Sequence, residues 1–351
     1  MRALRWHGPR DLRLEEVPEP GLPEPGQALV EVAYCGICGT DVHEYAAGPH
    51  MIRSGPHPLT WHRPPLALGH EISGIVRALG GPVPGVAVGD RVAVDPCWSC
   101  GTCRWCVRGE YHICPKGGSV GLASPGGLAE LVIVPAAGLV RVPDGVSDEL
   151  AALAEPLSVG LHAIRRGGVA PGDNVLILGG GPIGVAAAIA SRVAGAAGVF
   201  VSEPVPERRK RIADLATETY DPGASDVRRE VYLRTGRVGP DVVVEATGVP
   251  ELAAVAISAA RRGGRIVLAG IGDRPASLDL TALTFYERTL VGSLGYQYDV
   301  PRVVALLDSG ALDPARMITG RFPLEAGPEL FAGLAAGRGN HLKVLLTPKE
   351  L

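Results

Sequence analysis

Two rhythms of apolar and polar residues divide the chain. Up to about residue 150, short alternating or apolar runs recur at 27–33, 71–77, 90–94, 128–134 and 138–142, separated by glycine- and proline-bearing turns. Such runs predict a compact β-rich barrel. A helical pattern follows at 157–166, and then the character changes. A fully apolar strand is expected at 175–178, another strand at 199–202 and strands with apolar centres at 241–245 and 265–269, with helices at 185–194, 206–216 and 251–261 between them. Strand–helix alternation with buried strands predicts an α/β unit with a doubly wound parallel sheet. A helix near 300–309 and a last strand at 342–346 lie beyond that alternation. The expected division is therefore 157–295 for the parallel-sheet domain, with 1–156 and 296–351 forming the β-rich one.

The 351 residues suit two domains. A net charge of -3 and an aromatic share of 5% exclude a basic nucleic-acid binder built on base stacking. No apolar run is long enough for a membrane span, and Met1–Arg10 does not read as a signal peptide. Cysteine is more telling. All seven fall between Cys35 and Cys114. An odd, clustered set reads as metal binding in a cytoplasmic protein rather than as a disulfide framework.

Cys100, Cys103, Cys106 and Cys114 have the close spacing of a tetrahedral structural zinc site, with no coordination position left for chemistry. Cys97 is left over as a free thiol, and Cys35 as core. A second constellation joins the run from Cys35 and Cys38 to His43 with His70 and Glu71. Thiolate, imidazole and carboxylate together form the mixed ligand set of a catalytic zinc with an open position.

The run from Gly179 through Gly180, Gly181, Pro182 and Ile183 to Gly184 satisfies G-x-G-x-x-G between an expected strand and helix. That context predicts a dinucleotide pyrophosphate at the helix N-terminus. Glu203 ends the next strand, where a carboxylate accepts ribose hydroxyls and repels a 2′-phosphate, favouring NAD over NADP. The basic run after Glu207 stands against that preference, although most of it reads as a solvated helix start.

The segment Cys38-Gly-Thr-Asp-Val-His43, Gly69-His-Glu71, Gly89-Asp-Arg-Val92, the four-cysteine lobe and Glu155-Pro-Leu-Ser-Val-Gly160 jointly resemble the zinc-dependent medium-chain dehydrogenases. The similarity is greatest to the 2,3-butanediol and sorbitol dehydrogenase branch. The long segment 46–68 points to the butanediol side, whereas the complete cysteine lobe departs from it. This resemblance implies a GroES-like catalytic domain beside a Rossmann domain, with two zinc ions per chain. It implies a catalytic zinc on Cys38, His70 and Glu155, with Glu71 as an alternative ligand or neighbouring carboxylate, and Asp41 orienting His70. Thr40 and His43 would relay the proton.

By the same resemblance, Thr247, Ala269, Ser293 and Leu294 would surround the nicotinamide, and Lys343 would reach a phosphate. Arg208 would stack on adenine or simply face solvent. Tyr45, Trp61 and Tyr296 would line the substrate pocket. The implied substrate is a small vicinal diol or its ketone, with a cyclitol, aminocyclitol or sugar alcohol as the rival. A catalytically silent zinc- and nucleotide-binding sensor is the rival from another class. A homotetramer or dimer is expected, without nucleic-acid or membrane partners.

Overall fold

The computed structural model describes residues 1–349 and divides into two compact units. The first comprises 1–155, 300–310 and the chain from 318 onward; the second comprises 156–299 and 311–317. The return to the first unit thus comes at 300 rather than at the expected 296, and a short piece after it rejoins the second.

In the first unit a seven-stranded sheet runs in the order Leu139–Arg141, Arg91–Val94, Glu71–Leu79, Gln27–Gly36, Lys343–Thr347 and Ile318–Pro323, with Leu131–Pro135 also pairing Gln27–Gly36. All these pairs are antiparallel except the last, Lys343–Thr347 with Ile318–Pro323. Alternation along Gln27–Gly36 sends Ala28, Val30 and Val32 into a core shared with Leu4, Leu68, Ile72, Val92 and Phe331. A hairpin of Arg2–Gly8 and Asp11–Glu16 joins Leu66–Ala67 in a smaller sheet. The cysteine lobe hangs from the two-stranded ribbon Cys97–Trp98 and Gly118–Ser119.

The second unit is a six-stranded, wholly parallel sheet. Its order is Glu218–Tyr220, Gly198–Ser202, Asn174–Leu178, Val242–Glu245, Arg265–Leu268 and Thr289–Gly292. The central strands are buried throughout, which is why they read as unbroken apolar runs. The chain order reverses between Asn174–Leu178 and Val242–Glu245, so the carboxyl ends of those strands flank the crevice where such sheets bind ligands.

Within this unit a buried polar cluster fixes the helix Ala154–Gly167. Asp299, fully buried, accepts the Gln297 N–H at 3.0 Å, lies 3.1 Å from the His162 ring and pairs with Arg165. Burial works against its charge, but His162, the Gln297 N–H and Arg165 outweigh it and hold its carboxyl below the usual range. A depressed folded value means the stabilisation is complete above the unfolded aspartate range and is lost as pH falls through the folded value. Replacement D299N is expected to lower unfolding free energy by about 1.5–3 kcal/mol near neutral pH. It should also flatten the acid limb. Urea denaturation followed from pH 7 to pH 3 checks both, and an unchanged midpoint with an unchanged acid slope contradicts this account.

Candidate functional site

Strand register assembles the mixed-ligand cluster. Gly36 pairs with Glu71 on one side and Leu345 on the other. Directly opposed residues share a sheet face, as do residues two apart on a strand. Glu71 and Lys343 are therefore thrown onto one face, with only hydrogen at Gly36 between them. A Cβ at Gly36 would lie 1.9 Å from a Glu71 carboxylate oxygen. Two residues later Cys38 caps the helix Gly39–Ala47, and its N–H donates to Asp41 Oδ2 at 3.0 Å.

Cys38, His70 and Glu71 have ligand atoms all within 4.8 Å of one another. His70 Nδ1 faces Asp41 Oδ1 at 3.5 Å, which leaves the other ring nitrogen toward the Cys38 sulfur. Burial opposes a proton on His70, yet Asp41 and Cys38 hold it well above the usual range. Asp41 Oδ1, His70 Nδ1 and Glu71 Oε2 are buried without a hydrogen-bond partner. Thiolate, imidazole and carboxylate in this reach suit zinc, and the orphaned oxygen is the atom a metal would engage.

Two expectations change here. Glu155 is buried in the first turn of Ala154–Gly167, but it is outside the group of ligand atoms within 4.8 Å; Glu71 takes the place beside Cys38 and His70. Lys343 does not reach outward to a phosphate. It is 2% exposed, pairs with Glu71 Oε1 at 2.5 Å and donates to the Ile37 carbonyl at 3.0 Å. Burial disfavours its charge, but Glu71, Cys38 and Glu155 outweigh that and raise its pKa. Thr40 is half-buried and His43 exposed on the same helix, three residues apart and so on one face. Tyr45 is core, edge-on to Phe331 at 5.8 Å, and Tyr296 is buried, while Trp61 is 76% exposed.

The four lobe sulfurs are equally crowded. Sγ–Sγ distances are 3.4 Å for Cys103–Cys106, 3.8 Å for Cys103–Cys114 and 3.9 Å for Cys100–Cys106. A tetrahedron with zinc–sulfur bonds of about 2.3 Å has edges of about 3.8 Å, so the spacing fits. N–H groups of Thr102 and Cys103 lower the Cys100 thiol to about 6, while burial lifts Cys106 to about 11. Cys35 is wholly buried, and Cys97 opens the ribbon beside the lobe.

In the second unit Gly179 adopts φ +103°, and a Cβ at Gly184 would lie 1.9 Å from the Gly179 carbonyl oxygen. Gly181 caps the helix Pro182–Val193, and a Cβ there would meet nothing within 4 Å. That open face, above a helix N-terminus begun by Pro182 and Ile183, fits a pyrophosphate. Glu203 accepts from Gly180 N–H at 2.7 Å and Val205 N–H at 2.9 Å, each oxygen keeping a lone pair for a sugar hydroxyl. Arg209, not Arg208, turns back to the Glu203 carbonyl and pairs with Asp221 at 3.0 Å; Arg208 is exposed.

Thr247 packs over Gly179, where a Cβ would meet its methyl at 2.5 Å. Ala269, Ser293 and Leu294 follow the carboxyl ends of the next two strands, with the Ser293 hydroxyl buried and unpartnered. Sequence reasoning passed over Glu245, whose buried carboxylate binds Thr247 and Gly248. A lone acid closing an apolar strand was the available signal. No described helix is long and apolar enough to cross a membrane.

Residues 24–144 match the alcohol dehydrogenase GroES-like domain, and residues 182–309 match the zinc-binding dehydrogenase domain. The chain is 36% identical to (R,R)-butanediol dehydrogenase of Bacillus subtilis, covering 99% of this chain and all of that one. It is 35% identical to human sorbitol dehydrogenase, over 98% and 95% of the two chains. A crystal structure of 2R,3R-butanediol dehydrogenase from Bacillus subtilis superposes with a TM-score of 0.92 at 36% identity, over 99% of both chains. A zinc-binding dehydrogenase from Sinorhizobium meliloti bound to NADP gives 0.89 at 32%, and an Escherichia coli alcohol dehydrogenase complexed with NADH gives 0.89 at 27%, each over 99% of both chains. With matched domains spanning both units and relatives aligned from end to end, the chain belongs to the zinc-dependent medium-chain alcohol dehydrogenase family.

Proposed function

We propose that this dehydrogenase interconverts the secondary alcohol of a small vicinal diol and its ketone, of the 2,3-butanediol–acetoin type, using NAD(H). The convergence of Cys38, His70 and Glu71 within 4.8 Å, with Asp41 behind His70, carries the reading. Cys38 and His70 hold a catalytic zinc, with Glu71 as the nearer carboxylate and Glu155 as the other candidate. When bound, zinc supplies Lewis acidity that lowers the pKa of a substrate hydroxyl.

The chain's own residues then manage the proton and the geometry. Asp41 fixes the His70 ring, and Lys343 holds one Glu71 oxygen, leaving Oε2 for the metal. Thr40 receives the hydroxyl proton, and His43, exposed one turn away, passes it to solvent. Gly179–Gly184 and Glu203 hold the dinucleotide, and the Glu203 carboxylate supports NAD over NADP. Thr247, Ala269, Ser293 and Leu294 border its nicotinamide half. Cys100, Cys103, Cys106 and Cys114 hold a second, structural zinc. A sugar alcohol or cyclitol is the second reading, because identity to sorbitol dehydrogenase is nearly as high. Seven cysteines serving largely as metal ligands support a reducing, cytoplasmic setting.

An exposed sheet edge supports the oligomer reading, with a second copy of the chain as the partner. Thr289–Gly292 is an unpaired edge of the parallel sheet, and nearby Leu280 and Phe285 are 68% and 79% exposed.

Four experiments test these assignments. C38S should lower kcat/KM by at least about a hundredfold and zinc content from two ions to one, with NADH affinity unchanged. C106S should lose the other zinc and become susceptible to proteolysis within 97–118; full activity in C38S would sink the catalytic assignment. Acetoin and 2,3-butanediol are expected to exceed sorbitol, inositol-type rings and threonine in kcat/KM, with NAD ahead of NADP. Light scattering should give a dimer or tetramer that F285E dissociates, and a monomeric wild type rejects the interface.

A further inference from the structure

Glu245 is 3% exposed and closes the strand Val242–Glu245, the first strand past the reversal of chain order. Its Oε1 accepts from Thr247 N–H at 2.7 Å, Gly248 N–H at 3.1 Å and the Thr247 hydroxyl; Oε2 accepts from Gly248 N–H at 3.2 Å. Both oxygens act only as acceptors, the pattern of an ionised carboxylate. Its backbone carbonyl also accepts from Ala269 and Gly270 at 2.8 and 3.0 Å.

One residue therefore ties together the ends of two strands, and through Thr247 it packs against Gly179 at the end of a third. Among the described residues no lysine, arginine or histidine pairs with Glu245. Buried carboxylates ordinarily sit beside a cation. Here the protein leaves a negative charge balanced by backbone N–H dipoles and one hydroxyl, at the carboxyl edge of the sheet.

Dinucleotides cross such sheets at this edge, with the pyrophosphate at the helix N-terminus after the first strand. Glu203 places the adenosine half on the Gly198–Ser202 side, so the nicotinamide half runs toward Val242–Glu245 and Arg265–Leu268. An oxidised nicotinamide ring is a cation, and a reduced one is neutral. We propose that Glu245 acts as a positioning residue that shapes the Thr247–Gly248 shelf and electrostatically favours the oxidised nicotinamide over the reduced one. This rests on the dinucleotide reading of the same site, and it applies to NAD and NADP alike.

The test separates charge from shape. Dissociation constants for NAD+ and NADH are measured by calorimetry on purified wild type and on E245Q, which keeps the side chain's size while removing its charge. The ratio Kd(NAD+)/Kd(NADH) should rise by about threefold or more in E245Q, as expected for a charge several ångströms away in a partly screened site. Should E245Q fail to fold, V249K serves instead. Val249 is 44% exposed and adjoins Gly248, and a lysine there should raise the same ratio by partly neutralising Glu245. Equal changes in both affinities, or an unmoved ratio in the folded variant, would overturn the proposal and leave Glu245 purely structural. Failure of wild type to bind either nucleotide would instead overturn the dinucleotide reading itself.

Discussion

A negative group placed in an apolar interior needs positive charge beside it, and that constraint governs the first unit. Cys38, Asp41, Glu71 and Glu155 are set close to one ammonium, that of Lys343, and one imidazole, that of His70. Isolated buried charges cost several kcal/mol each, so such a set survives only if something cationic completes it. The same strand pairing that builds the core builds the deficit. Gly36 lies between Glu71 and Leu345 in the ladder, so the register that buries Val30, Val32 and Ile72 also delivers Glu71 to Lys343. Core packing and metal affinity are consequences of one alignment of three strands.

The second unit meets the problem of charge differently. It contains no cysteine, and the turn that meets its first helix is shaped by backbone geometry. Gly184 approaches the Gly179 carbonyl too closely for any side chain, which brings the helix N-terminus up against the strand end. Its acids, Glu203 and Glu245, are satisfied by loop N–H groups instead of by cations. A loop folded around a carboxylate is rigid, yet the carboxylate still projects a field over the adjoining surface.

Local spacing made much of this legible. The glycine loop, the apolar parallel strands and the four-cysteine lobe each occupy a short stretch in which geometry follows from sequence order. Cys38 and His70 are farther apart, and the chemistry of their side chains rather than periodicity joins them. What escaped depended on register or on brevity. Lys343 and Glu71 are separated by 272 residues, and only the ladder through Gly36 reveals that they meet. Glu155 reads as well as Glu71 for a ligand, because nothing in the chain order says which carboxylate stands nearer the sulfur. The hairpin Arg2–Gly8 and Asp11–Glu16 is rich in charge, and Thr289–Gly292 is a four-residue exposed edge; neither shows the apolar run that marks a strand. Resemblance puts Tyr45 at a pocket wall, but a helix turns its residues through 100° each, and Tyr45 faces Phe331.

The Lys343–Glu71 pair also bears on how the metal cluster keeps an open position. Were both Glu71 oxygens free, the carboxylate could close on a cation with two bonds and crowd out a substrate. Lys343 occupies Oε1, and the Ile37 carbonyl anchors the same ammonium, so only Oε2 faces the cluster. Asp41 acts in parallel on His70, presenting a single ring nitrogen to the Cys38 side. Glu71 and His70 are thus each limited to one atom by a buried partner, Lys343 or Asp41. The lobe differs: its sulfurs stand 3.4 to 3.9 Å apart, and four thiolates at the corners of one tetrahedron leave no room for a fifth ligand.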